Sequence, residues 1–144
     1  MSAVRVCREH LGAIAALEAL CFDEPWSEQS LSLLLGDSAM GLACLNGQGE
    51  PVAYVGMMTV LDEGQITNVA THPLYRRRGL ADKLISALVR QARDRGLSTL
   101  SLEVRESNTA AIALYEKHGF SIAGRRNYFY KNPREHALVM LCRL

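Results

Sequence analysis

The chain carries almost no excess charge. Sixteen Lys+Arg stand against 15 Asp+Glu over 144 residues, a formal net charge of +1. The chain as a whole is therefore no polyanion binder, and any hold on phosphate must come from a local cluster. Long apolar runs are also missing. None approaches the roughly 18 to 20 residues that a bilayer-spanning helix needs, so no membrane partner is expected. Residues 1–10 are charged and lack an apolar segment, which argues against a signal peptide. The four cysteines, Cys7, Cys21, Cys44 and Cys142, form no C-x-x-C pair. That spacing argues against a disulfide framework or a zinc site and for a reducing, cytoplasmic setting. The histidines, His10, His72, His118 and His136, show no ligand spacing, and no metal is expected. Repeats, low-complexity tracts and linkers are absent from the sequence, and residues 1–144 read as a single domain.

What is present is an ordinary globular balance, 49% hydrophobic and 22% charged, with strand and helix patterns in alternation. That alternation predicts an α/β or α+β domain. An edge strand is expected at 4–7. Leu11, Ile14, Leu17 and Leu20 repeat at helical spacing, and Pro25-Trp26-Ser27 ends that helix. Ser27 can cap a second short helix carrying Leu31, Leu34 and Leu35. Strands are expected at 40–45, 51–60 and 65–71, with turns at 46–49 and 62–64. A long helix follows Arg76-Arg77-Arg78-Gly79, with Leu80, Leu84, Leu88 and Ala92 on one face and Gly96 just past its end. In the strand predicted at 97–105, Leu100, Leu102 and Val104 point to one side. Ser101, Glu103 and Arg105 point to the other. Asn108 caps a helix reaching Lys117, and Gly119 stops it. Two final strands at 120–124 and 137–141 are expected, joined by an aromatic and charged loop at 127–135.

The basic turn before the long helix has a physical use. The first N–H groups of a helix have no partner within it, and the positive end of its dipole lies there. A phosphate can accept those hydrogen bonds. Gly79 has no Cβ to hold a bulky anion away, Ala81 is nearly as small, and three arginines add positive charge. Arginines alone are equally compatible with a solvated patch or an RNA contact. The loop is neither a Walker A nor a dinucleotide-binding fingerprint, because G-K-S/T and G-x-G-x-x-G are both absent.

Arg76-x-x-Gly79-x-Ala81 resembles the Q/R-x-x-G-x-G/A coenzyme-A motif of the GNAT superfamily. The approach through Ile66, Thr67, Asn68, Val69, Ala70, Thr71, His72 and Pro73 resembles that family as well. So do Leu102-Glu103-Val104-Arg105, Ser107-Asn108, Leu114-Tyr115 and Gly119-Phe120. Residues 22–27, Phe-Asp-Glu-Pro-Trp-Ser, are similar to the branch of ribosomal-protein alanine N-acetyltransferases. The resemblance implies a twisted, mixed, mostly antiparallel sheet of about six to seven strands flanked by about four helices, with two central strands splayed apart. It implies acetyl-CoA as cosubstrate. Main-chain groups around Val69, Ala70 and Thr71 would then meet pantetheine, and Arg76, Arg77, Arg78, Gly79, Leu80, Ala81 and Asp82 the pyrophosphate. Asn108 is adequately explained as a helix cap and is a further candidate cofactor contact. The expected partner is the N-terminus of a ribosomal protein, bS18, and no direct nucleic-acid binding is expected.

Acetylating an amine needs a base for the amine proton, an acid for the departing sulfur and a donor for the oxyanion. The resemblance puts the base at Glu103, whose ordinary reading is a solvent-facing strand residue. Tyr115 lies seven residues after Asn108, close to two helical turns, so the two share a face; Tyr115 is the candidate acid. Pro25, Trp26, Tyr128 and Tyr130 are candidate walls of a substrate pocket. The segment Tyr128-Phe129-Tyr130 through Glu135-His136-Ala137 departs from the branch, which often reads Tyr-Tyr and then, after a longer loop, Glu-Asp-Ala. The departure bears on peptide preference, not on the coenzyme site. Acetylation of lysine side chains or small amines, and non-catalytic acetyl-CoA binding, remain open.

Overall fold

The computed structural model describes residues 1–144. Seven strands form one mixed sheet, ordered β1-β2-β3-β4-β5-β7-β6. They are β1 (Ala3–Arg5), β2 (Ala39–Leu45), β3 (Pro51–Val60), β4 (Glu63–Thr71), β5 (Thr99–Arg105), β6 (Phe120–Lys131) and β7 (Arg134–Arg143). Four α-helices accompany them: α1 (Leu11–Cys21), α2 (Glu28–Leu31), α3 (Leu80–Asp94) and α4 (Thr109–Lys117). Ser27 caps α2 by accepting the Ser30 N–H, as its position in the sequence predicts. Leu80, Leu84, Leu88 and Ala92 are buried along α3. Gly96 and Gly119 hold φ of +80° and +92°, the left-handed geometry that ends α3 and α4.

Two cores clothe the sheet. Met40, Leu42, Val55 and Met57 pack with α3, with Leu100, Leu102 and Val104 of β5 and with Tyr115 of α4. Leu11, Ile14 and Leu17 of α1 pack with Leu31, Leu34, Ala43, Tyr54 and Ala70 on the opposite face. The alternation of β5 therefore buries its leucines on the α3–α4 side and turns Glu103 to the α1–α2 side.

The sheet is discontinuous at its centre. β4 and β5 are its parallel neighbours, and they pair only at Glu63–Thr99, Gly64–Leu100 and Gln65–Ser101. Beyond that point the strands diverge. A bulge on the other edge of β4 accompanies the divergence: Gly56 faces Asn68 and Met57 faces Ile66, leaving Thr67 without a partner. The expected splay of the central strands is present.

Two expectations need correction. β4 begins at Glu63, so the preceding turn is Leu61-Asp62, with Leu61 at φ +55° and exposed. The segment 127–135 is not a loop. β6 and β7 run through it as a ribbon that turns at Asn132-Pro133. Ser121 to Phe129 are exposed on both faces, so no apolar alternation marks the strand. Register shifts between Ile122 and Gly124 and between Arg126 and Tyr130 erase what periodicity remains.

Gly64 sits where β4 and β5 pair. A Cβ there would stand 2.7 Å from Leu100 Cδ2 and 2.9 Å from Met57 Sδ, both in the core. Gly64→Ala is expected to destabilise the fold by about 1–3 kcal/mol through overpacking. Urea denaturation of both proteins checks this; equal midpoints would contradict it.

Candidate functional site

Opening a sheet leaves main-chain groups unpaired along the split. His72 donates its N–H to Val52 O across the β3 edge. Alternation along β4 then turns the main-chain groups of Val69 and Thr71 toward the gap. Past Thr71 the chain forms a single 3-10 turn, Pro73–Tyr75, with His72 Nδ1 accepting the Leu74 N–H. Arg77 and Gly79 both hold left-handed φ, +64° and +74°, and bend the chain into α3. No side chain caps α3. Its first N–H groups therefore face outward, and nothing lies within 4 Å of where a Gly79 Cβ would stand.

This turn floors a groove of about 690 Å³ lined by Val69, Ala70, Thr71, Arg76, Arg77, Gly79, Leu80, Ala81, Asp82 and Asn108, with Ala110, Leu114, Cys21, Phe22 and Tyr75 completing the walls. All the expected cofactor residues but one line it. Arg78 is the exception, its guanidinium lying 4.8 Å over the Tyr75 ring. The groove has the features that hold an anion: free helix N–H groups, a left-handed glycine and arginines.

A second cleft, of about 480 Å³, opens on the α1–α2 side of the split. Phe22, Val69 and Asn108 line both cavities, so the two adjoin. Glu103 and Tyr115 both line the cleft. Glu103 Oε1 accepts from Arg126 Nη1 at 3.0 Å and Gln65 Nε2 at 3.4 Å. Tyr115 is 7% exposed, and burial, then the nearby Tyr130, push its phenol up to about 12. Asn108 caps α4, its Oδ1 accepting the Ala111 N–H at 3.1 Å, and still reaches both cavities. Cap and lining residue are one and the same.

The β6–β7 ribbon supplies another wall. Arg105 donates to the carbonyls of Pro133 and Asn132 at 2.8 and 3.1 Å and lies 4.3 Å over the Tyr130 ring. The β6 bulge turns Phe129 and Tyr130 into the cleft and Tyr128 out of it. Tyr128 instead stacks against Arg134 and His136. Trp26 lines the cleft, whereas Pro25 is exposed and does not. The two expected pocket residues outside the cleft are thus Pro25 and Tyr128.

A model of the Acetyltransferase (GNAT) family matches residues 11–120. The chain belongs to the GNAT acetyltransferase family. It is 42% identical over 118 residues to the ribosomal protein bS18-alanine N-acetyltransferase of Escherichia coli K12, covering 81% of this chain and 79% of that one. Identity to the enzyme of the same name from Haemophilus ducreyi is 39% over 119 residues, covering 81% of each. The crystal structure of the Escherichia coli ribosomal-protein-S18-alanine N-acetyltransferase superposes with a TM-score of 0.90 at 34% identity, covering 99% of this chain and 92% of that one. Arabidopsis thaliana NAA60 in complex with acetyl-CoA shares the fold, with a TM-score of 0.88 at 17% identity over 99% and 97% of the two chains. This GNAT protein is accordingly an acyltransferase.

Sequence reasoning missed two cleft residues of this acetyltransferase, Glu18 and Asn68. For Glu18 a signal existed. It lies four residues after Ile14 and seven after Leu11, on the buried stripe of α1. Reasoning from spacing also passed over Cys7, Glu9 and His10, whose ligand atoms come within 4.8 Å of one another. His10 Nδ1 there accepts the Cys7 N–H at 3.1 Å, which closes the 3-10 turn before α1.

Asp82, at the mouth of the groove, joins α3 to the end of α4. It bonds Lys117 Nζ at 2.9 Å and His118 Nε2 at 2.8 Å. Lys117 first, and His118 second, hold its carboxyl below the usual aspartate range. A carboxyl lowered on folding contributes stability above its unfolded pKa, about 3.9, and loses it as pH falls through the folded value. Asp82→Asn is therefore expected to melt below wild type at pH 7, with the gap closing as pH falls below about 4. Thermal melts across that range check the sign; a gap that widens in acid would contradict it.

Proposed function

We propose that this chain transfers the acetyl group of acetyl-CoA to the α-amine of a protein N-terminus, the N-terminal alanine of ribosomal protein bS18. One observation carries the reading. A carboxylate on the α1–α2 side of the split and a phenol on the α3–α4 side line a single cleft, and that cleft adjoins a groove floored by free helix N–H groups and arginines. The bS18-alanine N-acetyltransferases, similar over four-fifths of the chain, support the substrate.

Acetyl-CoA fits the residues present. Pyrophosphate meets the free N–H groups of Leu80, Ala81 and Asp82, where Gly79 leaves room, and Arg76 and Arg77 add charge. Val69 and Thr71 offer main-chain groups along the gap to the pantetheine arm. The bound coenzyme supplies a thioester, whose carbonyl is attacked and whose sulfur leaves.

An α-amine has an unperturbed pKa of about 8, so it arrives mostly protonated and must lose that first proton to solvent before it can attack. Attack then requires a second proton to leave nitrogen. Glu103 takes the proton lost on attack, with Gln65 and Arg126 fixing its carboxylate. Tyr115 holds its proton far above neutral pH and donates it toward the departing sulfur. Trp26 and Tyr130 wall the amine's approach.

Glu103→Gln is expected to lower kcat by about 100-fold to 10,000-fold and Tyr115→Phe by a similar order, with acetyl-CoA affinity retained. Thiol release measured with free alanyl peptides, amine-blocked peptides, lysine peptides and polyamines tests the substrate. Faster turnover of lysine peptides or polyamines would overturn the α-amine assignment. Acetyl-CoA binding without any turnover would overturn the enzyme reading. With the Tyr115 phenol near 12, kcat is expected to show no alkaline fall between pH 8 and pH 10 of that residue's making, so the Tyr115→Phe and wild-type profiles keep a constant ratio there.

A further inference from the structure

Two buried or half-buried carboxylates line the cleft, and they differ in company. Glu103 already has a cation, Arg126, at 3.0 Å. Glu18 has none. It is 1% exposed, and none of the five ion pairs in the protein includes it. Its oxygens are held by neutral donors instead. Oε1 accepts the Trp26 N–H at 2.9 Å and Oε2 accepts the Tyr54 hydroxyl at 2.6 Å. Burial, and then Glu18 itself, push the Tyr54 phenol up, so it remains a donor. A carboxylate has about four lone-pair positions, and these two bonds occupy half of them.

Withdrawing a charge from water without a counter-ion is costly, and folds generally pair such a group or neutralise it. Here a buried carboxyl group without a cationic partner lies in the wall of the cavity that also holds Glu103. Coulomb attraction across a poorly solvated cleft is several times stronger than in bulk water.

We propose that Glu18 is the cation-recognition residue of the cleft, drawing in the protonated primary amine of the substrate ahead of its deprotonation and attack. This rests on the amine-acetylating function above and adds a division of labour. One carboxylate, kept in place by Arg126 and Gln65, handles the proton. The other, kept free of cations, selects the charged ligand. By accepting the Trp26 N–H, Glu18 also fixes the aromatic wall beside the site it charges. Exposed Asp23 and Glu24 at the cleft mouth have the same sign and extend the attraction outward.

The test compares two ligands with the free coenzyme A complex: an alanyl peptide, and the same peptide with hydrogen in place of the α-amino group. Dissociation constants come from calorimetry. Wild type is expected to prefer the amine by tenfold or more near pH 7. Glu18→Gln, which keeps the shape and loses the charge, is expected to bring that ratio close to one while coenzyme A binds as before. Glu18→Met repeats the test with a different neutral side chain, should the glutamine variant fold poorly. Glu18→Asp, which keeps the charge, is expected to hold the preference above threefold. A neutral variant that weakens both peptides equally would overturn the proposal, because Glu18 would then only anchor Trp26. A neutral variant with the wild-type ratio would overturn it too. Wild type that binds neither peptide would instead remove the peptide substrate, a pattern distinct from both.

Discussion

A parallel ladder that stops after three residue pairs is the constraint on which the rest of this structure hangs. A β-sheet normally continues because every unpaired N–H and C=O is a debt to solvation. Here β4 and β5 part while both are still extended, and their edges are left for a ligand to satisfy. Two things make the break tolerable. The leucines and valine of β5 stay sunk in the α3–α4 core past the split. The bulge at Thr67 bends β4 away without breaking its ladder to β3. The basic groove and the cleft adjoin where the two strands part.

The split sorts residues by side. The start of α3 and Tyr115 lie with the larger core. Glu103, Glu18 and Trp26 line the cleft on the side of α1 and α2. The parity of β5 makes this division automatic, since neighbouring residues on one strand face opposite ways. Val104 reaches the core because Glu103 does not.

Local periodicity and caps carried most of the fold in the sequence. α3 announced itself through Leu80, Leu84, Leu88 and Ala92, and α4 through Asn108 and Gly119, because a helix on a core leaves an apolar stripe and needs a cap. The groove was legible for the same local reason: a helix start, a glycine and arginines are contiguous in the chain. The β6–β7 ribbon was not, because a strand exposed on both faces has no stripe and its bulges spoil alternation. Nor was the role of Phe129 over Tyr128, which depends on which residue a bulge turns inward. Glu18 stood on a buried face in plain view, but its meaning depends on Tyr54, 36 positions away, and on the absence of a cation that only the packed structure reveals. Long-range pairing and what is missing from a neighbourhood are the two things spacing does not encode.

β6 is the last strand of the sheet, and its outer edge faces solvent. A flat strand of twelve residues in that position would be a template for a second copy of itself, and from there for filaments. Two register breaks and the cations Arg125, Arg126 and Lys131 make this one a poor template. Straightening the strand to tidy the wall of the cleft would therefore expose the protein to aggregation. The kink that carries Phe129 into the cleft is also what makes this edge a poor template for neighbouring molecules.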